Sequence, residues 1–333
     1  MTELVATTPG LFPLPDWAKG ELSDLKGHQK GDLIGGDEGE EIVAAYDRAR
    51  SEAIEHQHEA GLDRVVEGQL RWDDMLAHPL TVHDSVETGG IVRYYDNNNF
   101  YRDPQIRGEL DFSGDVAAEL EAAADLTDEP LQAVLPGPYS LADLATDEQY
   151  GSDEDLLAGV TDFLAGEVEA FPDHETLFLL EPSLVESPPG ADLDERVPEA
   201  ISQVAAETDA DVVVHTYWGA VDEKTYAHLM DSSVEALGFD LVAGDREETI
   251  YNVTEYGTTS DVALGLVDGQ NTRVESPETV RERVDWFTEQ VPAQEFETVY
   301  LTSNTELFYL PVSKYREKLG TLAAAAAAEE VEA

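Results

Sequence analysis

Residues 176–182 read Thr-Leu-Phe-Leu-Leu-Glu-Pro, a short apolar run that ends in a carboxylate and a proline. Residues 211–215, Asp-Val-Val-Val-His, follow the same pattern after an intervening helical segment. Apolar runs of this length are typical of buried parallel strands. We predict eight such strands, at residues 4–8, 64–68, 131–135, 176–180, 211–215, 239–242, 261–267 and 298–302.

Each predicted strand leads into a helical segment. This alternation favours an α/β fold with a single (β/α)8 TIM-type barrel over residues 1–320. A doubly wound sheet is the alternative, but it needs a glycine-rich turn of the G-x-G-x-x-G type after the first strand. The sequence has no such turn there.

Two helices, an insertion and a carboxy-terminal tail are predicted in more detail. One helix begins at Ser276, with Pro277 at its first position, and another covers about residues 40–58. The stretch of about 78–108 lacks a helical period, which predicts a strand-rich insertion after strand 2. Residues 321–333 are rich in Ala and Glu and predict a helical tail that frays.

The charge of the chain is extreme, with 19 Lys and Arg against 72 Asp and Glu, a net charge of -53 and a pI near 4.1. A disordered chain would combine such charge with low hydrophobicity, but 42% of the residues are hydrophobic. We therefore predict a globular, halophilic protein. In molar salt the Debye length falls to roughly 3 Å, which screens the repulsion between carboxylates.

Composition also excludes several classes of protein. A purely electrostatic nucleic-acid binder needs a basic surface, which this chain lacks. No run approaches the ~18 apolar residues of a membrane span, and the first residues have no signal-peptide pattern. We expect a cytoplasmic protein.

The absence of cysteine restricts the possible chemistry. Because the chain has no cysteine, its chemistry is limited to His, carboxylates and hydroxyls.

The segments that follow the predicted strands carry the most informative motifs, because barrel enzymes place their sites at the carboxyl ends of strands. Together with residues 92–101, they resemble, in order and spacing, the barrels of cobalamin-independent methionine synthase over about residues 7–319. Residues 92–101 and 267–271 resemble its amino-terminal barrel in particular. The segments are Glu67 to Met75, Pro136 to Pro138, Glu181 to Leu184, His215 to Gly219, Asp240 to Arg246, Gly265 to Asn271 and Ser303 to Leu307.

The resemblance implies a zinc site that this chain does not preserve. The family's catalytic barrel holds zinc with a His, two Cys and a Glu. At the matching positions His215 is retained, whereas Tyr217, Asp245 and Thr305 stand in place of the first Cys, the Glu and the second Cys. His215 and Asp245 fall short of the three protein ligands of a catalytic zinc. We expect no intrinsic zinc.

Two family acids that bind homocysteine are also replaced, by Gln69 and Leu180. We expect no homocysteine binding in the family's manner. The candidate catalytic residues are His215, Glu181 and Asp245. A structural interpretation stays open for two of them, since His215 at a strand end fits a hydrogen-bonded core residue and Glu181 fits a carboxylate that accepts backbone donors.

The basic residues suggest a ligand. Five of the nineteen lie between residues 64 and 107, and all five are Arg, the residue suited to forked recognition of carboxylates. One interpretation is pairing with nearby acids. The other is that Arg71, Arg93 and Arg102 bind an anionic ligand, with Tyr94, Tyr95, Phe100 and Tyr101 as surfaces for a flat pterin ring. The predicted substrate-binding set is Glu67, Gln69, Arg71, Arg93, Asn97, Tyr101, Arg102, Asp268 and Asn271. For Asp268 and Asn271, a turn around Gly269 is an equally good explanation.

These observations predict a methyltransferase component of methionine biosynthesis. It would bind or orient a folate or pterin methyl donor for methylation of homocysteine by a separate partner chain that carries the zinc. A non-catalytic scaffold subunit is the alternative. A uroporphyrinogen decarboxylase-like enzyme is disfavoured because no Arg precedes Arg48, and a zinc-dependent corrinoid methyltransferase is disfavoured by the absence of Cys.

Overall fold

The computed structural model describes residues 2–22, 39–72, 74, 76–93, 95 and 100–327. Eight strands form one curled sheet in the order β1-β11-β10-β9-β8-β7-β5-β2, and a second sheet has the order β3-β4-β6. The strands are β1 Glu3–Ala6, β2 Val65–Val66, β3 Val86–Arg93, β4 Phe100–Ile106, β5 Leu131–Pro136, β6 Thr146–Asp147, β7 Thr176–Leu180, β8 Asp211–His215, β9 Ala236–Asp240, β10 Asp261–Val267 and β11 Thr298–Ser303.

Helices connect the strands of the large sheet, as expected for an α/β fold. They are α1 Asp16–Leu22, α2 Glu40–Ala60, α3 His78–Thr81, α4 Asp115–Ala124, α5 Pro138–Asp143, α6 Asp153–Glu169, α7 Ser183–Glu186, α8 Arg196–Ala205, α9 Glu223–Leu229, α10 Arg246–Tyr256, α11 Pro277–Gln290 and α12 Val312–Ala327. None of the helices in the described residues is both long and apolar enough to span a membrane.

The pairings of the large sheet are parallel. Each of the eight predicted strands overlaps one of its strands. The sixth prediction, 239–242, lies too far toward the carboxyl end, because β9 begins with the small residues Ala236 and Gly238, which give a weak apolar signal. At the two ends of the strand order, the amide of Asp63 donates to the carbonyl oxygen of Ala6 over 3.0 Å.

The segment predicted to be strand-rich contains helix α3 and the antiparallel pair β3 and β4. In this hairpin Val86 pairs with Ile106 and Arg93 with Phe100. The register shifts between Thr88 and Ile91, where the sequence contains two glycines. The short strand β6 extends the small sheet on the other side of β4.

The predicted helix signals agree with the structure. Ser276 is the N-cap of α11, and its hydroxyl accepts from the amide of Thr279. Helix α2 ends at Gly61, whose φ of 81° is the left-handed conformation that favours glycine. The tail that was predicted to be helical and to fray is helical over residues 321–327 and packed there, since Leu322 and Ala325 in α12 are fully buried. Residues 328–333 lie outside the described residues.

Candidate functional site

The carboxyl ends of β7, β8, β9 and β11 meet in a cluster of buried polar side chains. Backbone hydrogen bonds join neighbouring strand ends. The amide of Glu181 donates to the carbonyl oxygen of His215 over 2.9 Å, and the amide of Asn304 donates to the carbonyl oxygen of Val267, at the end of β10, over 2.8 Å. The segments predicted to carry chemistry therefore lie together at one edge of the sheet.

Glu181 is fully buried and binds backbone amides. Its two carboxylate oxygens accept from the amides of Tyr139 at 2.9 Å and Ser140 at 2.7 Å, in the first turn of α5. Burial raises the pKa of Glu181 to about 7, although these hydrogen bonds oppose the shift. Both oxygens are used, so the structural interpretation of Glu181 accounts for its geometry.

His215 is also fully buried. Its Nε2 lies 3.0 Å from the carbonyl oxygen of Asn304, which only accepts, so Nε2 carries the proton. Burial lowers the pKa of His215 to about 4, which keeps the ring neutral. Its Nδ1 has no hydrogen-bond partner among the residues that the structure describes. This atom packs so closely on Gly238 that a Cβ built on that glycine would lie 2.2 Å away.

Asp240 and Asn304 connect the strand ends to the loops above them. Asp240 accepts from the amides of Trp218, Val242 and Ala243 at 3.0, 2.8 and 2.8 Å. The side-chain Nδ2 of Asn304 also donates to Asp240 over 3.1 Å. The side-chain Oδ1 of Asn304 accepts from the backbone amide of Gly269 over 2.9 Å. Asp240 and Asn304 together fix the loops after β8, β9 and β10 relative to each other.

Glu306 was not among the predicted site residues. Only 2% of its surface is exposed, and burial raises its pKa to about 8. Gln270 is 3.4 Å from its Oε1, while Oε2 has no hydrogen-bond partner among the described residues. Its position in the segment after the eighth predicted strand was the feature of the sequence that could have identified Glu306 as a site residue. At neutral pH the carboxyl group is protonated and able to donate a hydrogen bond.

Trp218 is a second residue that the sequence did not reveal. Its φ of 71° is unusual for a residue with a side chain, and its amide donates to Asp240. The indole packs edge-on against Tyr217 and Tyr95, with ring centroids 4.8 and 5.4 Å apart. The buried Nε1 of Trp218 has no partner among the described residues.

Glu67 and Arg71 belong to a buried ion-pair network. Arg50 pairs with Glu67 over 3.0 Å and also with Glu119, and Arg71 pairs with Glu119 over 2.8 Å. Burial, followed by the negative charge of Glu67, raises the pKa of Glu119. The structure therefore supports intramolecular pairing for Arg71, whose partner Glu119 is distant in sequence.

Gln69 is likewise engaged within the protein. Its side-chain oxygen accepts from the backbone amide of Leu11 over 2.8 Å, which ties the loop after β2 to the loop after β1. The backbone amide of Gln69 donates to the carboxylate of Glu67 over 2.6 Å, within the loop after β2.

The hairpin of β3 and β4 carries three more predicted residues. Arg93 is exposed, and its guanidinium lies 5.8 Å from the ring centroid of Phe100. Tyr101 and Arg102 are half-buried on the facing strand. Burial, and then nearby carboxylates, raises the pKa of Tyr101 to about 12. Asn97 and Tyr94 lie outside the described residues.

The hairpin reaches the strand ends through Tyr95. Its hydroxyl shares a hydrogen bond of 2.6 Å with the hydroxyl of Ser183, directly after β7. Ser183 in turn donates to Asp143 over 2.8 Å. The aromatic hairpin and the polar strand ends therefore meet at Tyr95 and Trp218.

Asp268 and Asn271 form tight turns after β10. Asp268 accepts from the amide of Gln270 and Asn271 from that of Arg273, each over 3.0 Å. These hydrogen bonds fit the turn interpretation, with the turn of Asp268 enclosing Gly269 and that of Asn271 following it. Both also line a cavity of about 460 Å³ beside α11.

Comparison with known proteins identifies the family. Residues 83–291 match the family described as cobalamin-independent synthase, N-terminal domain. The chain belongs to this family. Among its curated relatives, the methionine synthase of Saccharolobus solfataricus is 22% identical over 303 residues, covering 87% of this chain and 85% of that protein. The methionine synthase of Sulfurisphaera tokodaii is 23% identical over 284 residues, covering 83% and 79%.

Solved structures share the fold of this cobalamin-independent synthase family member. A B12-independent methionine synthase from Shewanella sp. W3-18-1, in complex with selenomethionine, superposes with a TM-score of 0.78 at 18% identity, over 97% of this chain and 96% of that one. A putative vitamin-B12 independent methionine synthase from Listeria monocytogenes gives 0.70 at 16% identity, over 98% of each chain. The family predicted from the strand-end motifs is confirmed.

His215 and Asp245, the two residues that the sequence resemblance matched to zinc ligands, do not fit a metal in this structure. His215 uses Nε2 as a donor, and its Nδ1 is covered by Gly238. Asp245 is exposed and is the N-cap of α10, where it accepts from the amides of Glu247 and Glu248. Throughout the described residues, no group of three His, Cys, Asp or Glu is arranged to hold a metal ion. His215 and Asp245 thus have separate structural roles, one in joining strand ends and the other in capping a helix.

Tyr217 and Thr305, which the sequence resemblance matched to cysteines, are buried. Tyr217 is 1% exposed, and burial raises its pKa well above the ordinary value. The hydroxyl of Thr305 donates to the carbonyl oxygen of Glu306 over 3.3 Å. Tyr217 and Thr305 fill the strand ends with a ring and a methyl group, next to the carboxyl group of Glu306.

Proposed function

We propose that this chain is a methyltransferase component of methionine synthesis that binds or orients a folate or pterin methyl donor. Homocysteine would be methylated by a separate zinc-bearing partner chain. Family membership supports the general role, since the relatives are named methionine synthases. We also propose that the curled sheet is a closed barrel and that the protein works in a salt-rich cytoplasm, as its charge favours.

The observation that carries the proposal is the contact between the hairpin and the strand ends. Tyr95 brings the hairpin over Ser183 and Trp218. Arg93 and the exposed ring of Phe100 lie on the same hairpin. A flat ring system between aromatic side chains, with its anionic tail on arginine, suits this combination of surfaces.

Two polar atoms support a donor site at the same edge. The indole Nε1 of Trp218 and the Oε2 of Glu306 are buried and lack partners in the described part of the chain. Buried polar groups without partners are costly, so a ligand that bonded to both would remove that cost. A protonated Glu306 would donate to a carbonyl or ring nitrogen of the donor.

A scaffold role remains the second candidate, and one observation favours it. The predicted catalytic groups Glu181, His215 and Asp245 are all engaged in hydrogen bonds within the chain. A chain of this kind can stabilise a catalytic partner without touching its substrates. The two candidates differ in whether the isolated chain binds the donor.

Titration of the purified chain with methyltetrahydrofolate in high salt tests the proposal. We expect saturable binding that the double substitution Arg93→Gln and Arg102→Gln weakens by about tenfold or more. Arg196→Gln, an exposed residue of α8 paired with Glu199, is the matched control and should bind as wild type. Absence of binding by the wild type would favour the scaffold.

A further inference from the structure

The cavity of about 460 Å³ beside α11 has an unusual lining for this chain. It lies between Val242, after β9, and Ser276, at the start of α11, and thus at the carboxyl edge of the sheet. Two arginines, Arg273 and Arg283, line it. Its volume is within the range of small-molecule sites in proteins.

Neither arginine has a carboxylate partner in the part of the chain that the structure describes. Arg283 donates through Nη1 to the carbonyl oxygen of Leu266, and the guanidinium of Arg273 makes no ion pair. By contrast, Arg50 and Arg107 each contact at least two acids. In a chain with 72 acidic and 19 basic residues, two arginines that face one cavity without such a partner form a specific cationic surface.

The acids of the lining do not cancel this charge. Glu275 pairs with the buried Lys318 over 2.8 Å, and its other oxygen accepts from the amide of Asp268 over 3.0 Å. Lys318 therefore neutralises Glu275. The lining keeps two cationic side chains against the single remaining carboxylate of Asp268.

A third arginine reinforces the positive potential. Arg246 donates to the carbonyl oxygen of Leu241 over 2.7 Å and lies over the ring of Trp286 at 5.4 Å. It is close enough to Arg283 for the two charges to repel each other, although the carboxylate of Asp240 offsets part of its charge. An anion bound in the cavity would relieve this repulsion.

The helix end itself is already satisfied. The hydroxyl of Ser276 accepts from the amide of Thr279 over 3.3 Å, so the N-terminus of α11 is capped by its own side chain. The hydroxyls of Ser276 and Thr279 still line the cavity and offer secondary donors. Recognition must come mainly from the arginines.

We propose that this cavity is an anion-binding site for a small molecule with several carboxylate or phosphate oxygens, held by Arg273 and Arg283. The planar guanidinium fork matches both kinds of group. The site goes beyond the proposed function, because it requires neither a methyl donor nor a partner chain. Its failure would therefore leave the donor-binding proposal untouched.

Calorimetric titration of the full chain with citrate and, separately, with inorganic phosphate tests this site at constant ionic strength. We expect one-site binding of at least one probe, and the stronger probe identifies carboxylate or phosphate as the preferred group. Arg273→Gln should weaken binding by about tenfold. Arg283→Lys keeps the charge but removes the fork, and it should also weaken binding.

Arg281→Gln is the matched control, because Arg281 is on the same helix but does not line the cavity. It should bind the probes as wild type does. Thermal unfolding of each variant shows whether it is folded. Within the described part of the chain, the guanidinium of Arg273 has no ion-pair partner whose loss would unfold the protein. Binding of neither probe, or equal weakening in Arg281→Gln, would overturn the proposal.

Discussion

His215 donates a hydrogen bond through Nε2 to the backbone carbonyl oxygen of Asn304, 3.0 Å away. This bond joins the end of β8 to the segment that follows β11. His215, which the sequence resemblance matched to a zinc-binding histidine, is therefore a buried connection between strand ends in this chain. Its neutral state, with the pKa lowered to about 4 by burial, agrees with that role.

The close packing of His215 on Gly238 leads to a stability prediction. A Cβ at residue 238 would lie 2.2 Å from Nδ1 and 2.9 Å from Cα of His215, so Gly238→Ala must displace the strand. We expect a loss of about 1–3 kcal/mol in the free energy of unfolding, measured by denaturant titration in high salt. Gly190→Ala meets no atom within 4 Å and should cost less than about 0.5 kcal/mol. Equal effects would contradict the packing argument.

The buried network around Arg50 predicts a larger loss. Arg50→Gln leaves Glu67 and Glu119 without their shared cation in a buried environment. Breaking such a pair typically costs about 3–5 kcal/mol, again measured by denaturant unfolding. Arg196→Gln removes the same charge from an exposed pair and should leave the free energy of unfolding close to that of the wild type. A small effect at Arg50 would show that water reaches the network.

Glu306 predicts a dependence of stability on pH. Its pKa is about 8 in the folded protein, against an ordinary value of 4.5. Between these pH values the folded state holds a proton that the unfolded state releases, so this residue's contribution to stability is lost as pH rises through the window. Glu306→Gln should therefore gain stability relative to wild type, by about a few kcal/mol near pH 8.

Unfolding curves of both proteins at several pH values measure this difference. Glu199→Gln, in the exposed pair with Arg196, is the control and should follow the wild-type pH profile. A constant difference between Glu306→Gln and wild type across the window would mean that Glu306 is ionised throughout.

The net charge of -53 predicts that salt stabilises the fold. Repulsion between carboxylates weakens as the Debye length falls from about 10 Å at 0.1 M salt to about 3 Å at 1 M. The midpoint of thermal unfolding should therefore rise with KCl over this range. A midpoint that stays constant or falls would argue against the halophilic assignment.

The strands were predictable from sequence because buried parallel strands need continuous apolar runs, as in 176–180 and 211–215. The shift of the sixth strand has a physical cause. Gly238 is required by the approach of His215, and it interrupts the apolar signal that marks a strand. The packing of α12 was missed because the contacts of its alanines depend on elements far away in sequence.

Sequence predicted which segments of the candidate site lie together, but not their contacts. The strand-end segments meet at one edge of the sheet, since topology places them there. They did not show which side chains were already paired. Arg71 was interpreted as a ligand-binding residue, but its partner Glu119 is 48 residues later. Glu306 was overlooked because sequence gives no measure of its burial.

The most direct test of the central claim is methyl transfer to homocysteine by the purified chain in high salt, with and without a zinc-bearing partner, together with the metal content of the chain. We expect no stoichiometric zinc and no methyl transfer by the chain alone, with activity appearing when the partner is added. Stoichiometric zinc accompanied by activity of the isolated chain would contradict it.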